Sequence, residues 1–324
     1  MKQRLVQYDI LKGIGIFLMV ICHAGLDGYA KECIYTFHMP LFFFASGCFF
    51  TDRDLPGYLS KNIKQLLIPY LFFAFCMIIA RYLRTPSFQL SSFSGFLCSL
   101  NPLLETDPNL YDSIWFLICL FNVRIFYWFI NRACRGVLWI KAVICVVWYC
   151  VGFILQRLEL NLPFFIDTSL SVLLFYVLGE IFHSKGYDKK MIPWWLGCVG
   201  VVLCISVSIL LHPYVELKLN IYPFYLALLS LIMILSIYYI CKSMIEYKNG
   251  KRLYVFSFLE KAGISSLTIL GLHNPIIWIF GHYLQIIPAP SIVILFIEVL
   301  LTITVIIYIE KLIYKYLPFL LGRF

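Results

Sequence analysis

The chain has 324 residues, 62% hydrophobic and 13% charged, with 26 Lys and Arg against 17 Asp and Glu and a mean hydropathy of +0.88. This composition excludes a soluble globular domain, a secreted disulfide scaffold and a coiled coil. The net charge of +9 does not point to nucleic acid, because the basic residues sit in short gaps between long apolar runs that are continuous rather than alternating. Continuous runs exclude a transmembrane β-barrel and predict an all-α integral membrane protein, a helical bundle.

A spanning helix needs about 20 mostly apolar residues. By that measure ten transmembrane helices are predicted, at 9–28, 34–50, 64–83, 113–131, 138–156, 167–184, 193–212, 220–241, 263–284 and 291–314. The first imitates a signal peptide, but Asp9 and Lys12 interrupt it and no convincing cleavage site follows, so it reads as an uncleaved span. The second is the shortest. Most gaps are brief, whereas 85–112 is long and rich in Ser, Pro, Asn and Asp. That segment is the expected lid or substrate-facing loop of a single domain covering 1–324.

With the amino terminus inside, twenty of the 26 Lys and Arg fall in inner segments and five in outer ones, with Arg124 inside the fourth span. The bias alternates along the whole chain, which predicts both ends on the cytoplasmic side. The twelve cysteines are scattered through apolar segments without a CxxC pair or a Cys/His cluster. They read as small core residues, and no metal is expected.

Ionisable residues inside spans are costly in hydrocarbon and therefore mark function by default. Asp9 and Lys12, at i and i+3, can form a structural pair at a helix start or belong to a donor-binding helix. His23 lies about 16 Å further along the same helix, in the outer half of the membrane. His38 enters the second span from the outer side after a short connection, so both histidines are expected to face one outer vestibule. Ser46-Gly47 reads mainly as a close-packing step that also offers a hydroxyl. Glu180 and His183 form an i, i+3 pair near the inner surface, read as a solvated end. His273, Asn274 and Pro275 suggest either a cavity-lining kink or a packing kink, since Pro275 frees the carbonyl of Gly271. Glu298 stands in an apolar run and is expected to face a partner such as His282 or Arg81. Trp115 reads as interfacial anchoring, with carbohydrate stacking as the minority reading.

The stretch Tyr8-Asp9-Ile10-Leu11-Lys12-Gly13-Ile14-Gly15-Ile16, then His23, then Phe37-His38-Met39-Pro40-Leu41-Phe42-Phe43-Phe44-Ala45-Ser46-Gly47 resembles the opening of the acyltransferase-3 family of integral-membrane acyltransferases. Ile68-Pro69-Tyr70, Ile114-Trp115-Phe116-Leu117 and Gly263-Ile264-Ser265-Ser266-Leu267 leading to His273-Asn274-Pro275 fit the same pattern, and the look is that of the fucose 4-O-acetylase-like sugar O-acetyltransferases. The resemblance implies about ten spans and transfer of an acetyl group from cytoplasmic acetyl-CoA to a glycan hydroxyl, with His23 as the catalytic histidine and Asp9 and Lys12 on the same functional helix.

The chemistry is consistent with that implication. Transfer to a sugar hydroxyl requires a base near neutrality, and imidazole suits that task. His23 is the expected base, with His38, Ser46, His273 or Asn274 orienting it or stabilising the oxyanion. A relay through acylated His23 or Cys22 is the second variant. Acetyl-CoA, a polyanion, is expected at the inner basic rim of Lys12, Arg53, Lys61 and Lys64, beside Asp9. Trp115, Arg81 and Glu298 are expected toward the acceptor. A transporter or flippase for a lipid-linked glycan is the rival reading, favoured by Glu298, His282 and the Pro-interrupted ninth span. The expected setting is a bacterial inner membrane, with membrane lipid and a glycan as partners.

Overall fold

The computed structural model describes residues 5–84, 113–158, 160, 162–211, 223–247, 254–284, 286 and 290–322. The expected lid at 85–112 lies outside them. The regular structure of the described residues is helical: α1 (Val6–His23), α2 (Tyr29–Tyr35), α3 (His38–Gly47), α4 (Leu55–Asn62), α5 (Ile68–Arg84), α6 (Trp115–Ala133), α7 (Leu138–Arg157), α8 (Ile166–Ser184), α9 (Trp194–Leu211), α10 (Pro223–Tyr247), α11 (Tyr254–Ile264), α12 (Ser266–Leu284) and α13 (Ser291–Tyr316). A π-helical turn, Ile63–Leu67, joins α4 to α5.

The protein is a multi-pass integral membrane protein. Among the described residues seven helical stretches are long and apolar enough to cross a membrane, and up to eight if the bent pair α11–α12 is one span. The second of the ten predicted spans is not continuous: the run 34–50 is split between α2 and α3, because Phe37 leaves helical geometry (φ −132°, ψ −21°). The run 193–212 is the apolar helix α9, Trp194–Leu211. The predicted ninth span is a broken element: the chain bends by 90° between α11 and α12.

Lipid exposure can be read from α7. Its buried residues, Lys141, Cys145, Tyr149 and Gly152, recur at three- and four-residue spacing and form one stripe, while Trp139, Val147 and Ile154 are exposed. A helix apolar all round yet buried along one stripe turns its remaining faces to hydrocarbon. In α1, by contrast, eleven of eighteen residues are buried, so that helix is packed on several sides.

The described chain forms two compact units, each assembled from separated stretches. The first comprises 1–50, 175–266 and 284–303. Its core includes Tyr8, Leu11, Phe44, Phe182, Met233 and Tyr238, with the Phe182 and Tyr238 rings edge to face at 5.0 Å. Two close approaches of backbone organise it. A side chain at Gly47 would collide with the Tyr176 carbonyl, and one at Gly179 with the Phe44 carbonyl, so α3 and α8 meet main chain to main chain. In the same way Gly263 of α11 abuts the Asp9 carbonyl, and Gly13 of α1 abuts the Leu259 carbonyl. α11 therefore runs antiparallel to the first half of α1. Small residues permit this approach, and dispersion between backbones replaces the hydrophobic drive absent in lipid.

The second unit comprises 51–174, 267–283 and 304–324. Tyr58 and Asn62 of α4 are buried against α6: Tyr58 Oη donates to the Arg124 carbonyl at 3.3 Å, and Arg124 Nη1 donates to Asn62 Oδ1 at 3.1 Å. Gly152 faces Ser171, closing α7 onto α8. Phe73 packs on Gly271 of α12, and the Ser113 hydroxyl donates to the Leu270 carbonyl at 3.1 Å.

Candidate active site

At the carboxyl end of α1 in the first unit, His23 closes the helix and Cys22 is buried beneath it. His38 opens α3 nearby, close enough to interact electrostatically with His23. His38 is only 3% exposed, and its Nδ1 lies 2.9 Å from the Ile34 carbonyl. A carbonyl can only accept, so Nδ1 carries the proton and a neutral His38 presents its lone pair at Nε2. The Tyr35 ring stands edge-on at 4.9 Å and holds the imidazole plane. The connection is tied to α10 by the Ser230 hydroxyl, which donates to the Thr36 carbonyl. Sequence spacing places His23 and His38 on one side, and both belong to the first unit. Burial raises the Cys33 thiol of α2 above its ordinary range, with a Ser208 hydrogen bond opposing the shift, so this thiol is a packing group rather than a thiolate.

Ser46 lies about 12 Å further along α3. Asp9 and Lys12 form the i, i+3 ion pair expected of them, Nζ to Oδ1 at 2.8 Å, with the Asp9 side chain 6% exposed. They occupy the opposite end of α1 from His23.

That opposite end holds a cluster the sequence reading missed. Glu180 and His183 read in sequence as a solvated helix end, and the structure sets His183 Nδ1 2.7 Å from Asp188 Oδ2. Asp188 sits in the gap after α8, where Gly186, in left-handed geometry at φ +70°, turns the chain back. The reversal carries Asp188 under the helix end, which a reading of helix periodicity cannot foresee. Tyr8 Oη donates to the same carboxylate oxygen at 3.3 Å. From α10, Tyr238 Oη and Lys242 Nζ donate to the Asp188 carbonyl at 3.0 and 2.7 Å, Lys242 also reaches the Lys190 carbonyl at 3.0 Å, and Tyr239 Oη donates to the Tyr187 carbonyl at 2.8 Å. The start of α1 thus meets the ends of α8 and α10, the alternation of direction that the charge pattern implied. A buried acid flanked by Lys185, Lys189 and Lys190 was the one available signal.

In the second unit, His273 is fully buried, and its Nδ1 lies 3.0 Å from both the Ile269 and Leu270 carbonyls. By the same logic its Nδ1 is the donor and Nε2 the acceptor. Asn274 is buried beside it, and Pro275 sits inside α12 without ending it. Arg53 lends its carbonyl to Trp128 Nε1 and Arg132 Nη2, both at 2.9 Å, and Arg132 is paired with Asp52 at 3.0 Å. Arg53 and Lys64 are exposed, Lys61 is half-buried, and Lys64 sits on the π-helical turn. Such turns often mark functional positions. The Arg124–Asn62 bond beside that turn was also missed, because Asn62 gives no signal in sequence. Trp115 opens α6 with its ring 5.8 Å from Phe165. Arg81 lies on α5, and the neighbouring Arg84 guanidinium stacks over Trp278 at 4.7 Å. Glu298 is buried in α13, in the first unit, whereas Arg81 and His282 belong to the second. Among the described residues no group of three or more His, Cys, Asp or Glu is placed to hold a metal ion.

The family model of the acyltransferase-3 group, an acyltransferase domain, matches residues 5–311. The chain belongs to the acyltransferase-3 family. The match runs from the start of α1 into α13, so it takes in both units and every site residue named above. No match was found among curated proteins or among solved structures. The protein is accordingly a membrane-bound acyltransferase, an enzyme.

Proposed function

We propose that this acyltransferase moves an acetyl group from cytoplasmic acetyl-CoA to a hydroxyl of a cell-surface or lipid-linked glycan, as the fucose 4-O-acetylase-like sugar O-acetyltransferases do, in a bacterial inner membrane. The observation that carries the reading is the family match over residues 5–311, with His23 ending α1 and His38 opening α3 in the first unit. The His38 imidazole has its Nδ1 proton engaged by the Ile34 carbonyl.

In this mechanism His23 takes the proton of the acceptor hydroxyl as its oxygen attacks the acetyl carbonyl. The C–S bond of the thioester breaks, the electron pair leaves on the CoA sulfur, and the proton held by His23 ends on that sulfur as the free thiol. His38 is assigned to positioning His23, since its Nε2 can accept a hydrogen bond from an imidazole N–H. Ser46 is assigned to lining the path, and Lys12 and Asp9 to the donor side.

The test is the O-acetyl content of surface polysaccharide in cells carrying the wild-type chain, a deletion, or His23→Ala at matched expression. Loss of acetyl in both mutants with glycan still at the surface is the expected result. Unchanged acetyl removes His23 from the chemistry, and failure of glycan export itself transfers the argument to a transporter.

A further inference from the structure

The Asp188 cluster is not used by the proposed chemistry, and it is more elaborate than a loop connection requires. The Asp188 side chain is 4% exposed, and its Oδ1 is buried with no hydrogen-bond partner among the described residues. Its Oδ2 fixes His183 Nδ1, while the His183 side chain remains 38% exposed. Phe49, 47% exposed, packs against both His183, ring centroids 5.8 Å apart, and Tyr8, at 5.0 Å. Lys185, Lys189 and Lys190 are exposed in the loop that follows His183. Three side chains of α10 pin the main chain of Tyr187, Asp188 and Lys190, so the lysines project from a held loop.

An aromatic platform beside an imidazole and a set of ammonium groups has the chemistry of a site for a phosphorylated purine nucleotide. The rings offer a stacking surface. With Nδ1 of His183 set against the Asp188 carboxylate, Nε2 is the ring nitrogen left to meet a phosphate oxygen. The basic character of this end is also what the positive-inside rule assigns to the cytoplasm, where nucleotides are found.

We propose that the Phe49–His183 face, with Lys185 and Lys189, binds the phosphorylated nucleotide end of the acyl-CoA donor. The inference rests on the donor assignment made above and places the nucleotide on residues of the first unit. Anionic lipid headgroups carry the same phosphate chemistry, so the test must separate the two sources.

The experiment is equilibrium binding of CoA and of dephospho-CoA to the purified full chain in phosphatidylcholine and in phosphatidylglycerol nanodiscs. It compares wild type, His183→Asn, Phe49→Leu and the exposed pair Lys185→Ala/Lys189→Ala, which carries little folding risk. Wild type is expected to prefer CoA to dephospho-CoA in phosphatidylcholine. The histidine variant and the lysine pair should each weaken CoA binding about tenfold and lose that preference, since one charge-assisted contact is worth about that factor. Phe49→Leu should weaken both ligands alike. If wild type binds CoA and monodisperse variants bind it equally well, the face is not the nucleotide site, and the donor assignment stands. If wild type binds no CoA in either lipid, both the site and the donor assignment fall. A wild type that shows no preference between the two ligands in phosphatidylcholine, and loses what binding it has in phosphatidylglycerol, assigns the lysines to lipid headgroups and overturns the site.

Discussion

Lys242→Met isolates what the pinned loop is worth. Methionine keeps the apolar stem of the side chain and deletes the ammonium, so the change removes the two bonds to the Asp188 and Lys190 carbonyls at 2.7 and 3.0 Å. Lys242 is 7% exposed, so water does not readily replace it. A charge-assisted hydrogen bond contributes about 1.5–3 kcal/mol, and a buried carbonyl left without a donor costs about 1–3 kcal/mol. The two estimates describe the same loss and are not added, and a local destabilisation of about 3 kcal/mol follows, allowing for relaxation of the freed loop. That corresponds to roughly a hundredfold larger population of the opened loop. The loop supplies its own reporter, because Lys185, Lys189 and Lys190 are trypsin sites. When opening is fast relative to cleavage, the cut rate follows the opening equilibrium. Mass-spectrometric timing of cleavage at these lysines in detergent is expected to show the hundredfold rise. Tyr238→Phe, which loses one neutral bond of about 1 kcal/mol, should show a rise of about fivefold. Equal cleavage of Lys242→Met and wild type within a factor of two refutes the claim that α10 holds the loop.

Gly263→Ala and Gly13→Ala place a β-carbon against a backbone carbonyl that cannot rotate away, so each is expected to lower the melting temperature by an overpacking cost of about 1–3 kcal/mol or more; unchanged thermal unfolding of both would break the assignment of the α1–α11 contact. In a background without other cysteines, Cys33 should be alkylated more slowly than an exposed Tyr29→Cys at neutral pH. The sign follows from its raised thiol: the proton stays on while an ordinary cysteine is already ionising, and the gap closes as the pH rises. Equal rates at neutral pH would contradict the burial. With an impermeant reagent on intact cells, Tyr29→Cys is expected to label and Lys189→Cys to label only after permeabilisation; the reverse pattern would invert the orientation.

The composition and the continuous apolar runs determined the fold class, because a backbone in hydrocarbon must satisfy its hydrogen bonds within each segment and a helix does so locally. Local spacing likewise determined the Asp9–Lys12 pair, whose two members are one helical turn apart. Alternation of Lys and Arg is reproduced in the first unit, where the start of α1 meets the ends of α8 and α10. Span length was less legible. Phe37 and Ser265 interrupt apolar runs whose hydropathy continues across the break, and hydropathy does not encode direction.

Tertiary structure alone decided which polar groups meet. His183 had a partner of correct spacing in Glu180, yet it bonds to Asp188, because the left-handed turn at Gly186 folds the loop under the helix end. The protonated nitrogens of His38 and His273 are set by backbone carbonyls within a turn of each. Gly47 and Gly263 look alike as small residues in a sequence, while their necessity comes from the carbonyls of Tyr176 and Asp9, more than a hundred residues away in the chain. Helix formation is a local free energy that a sequence displays, whereas the identity of a contact depends on which faces of distant helices come to lie against each other.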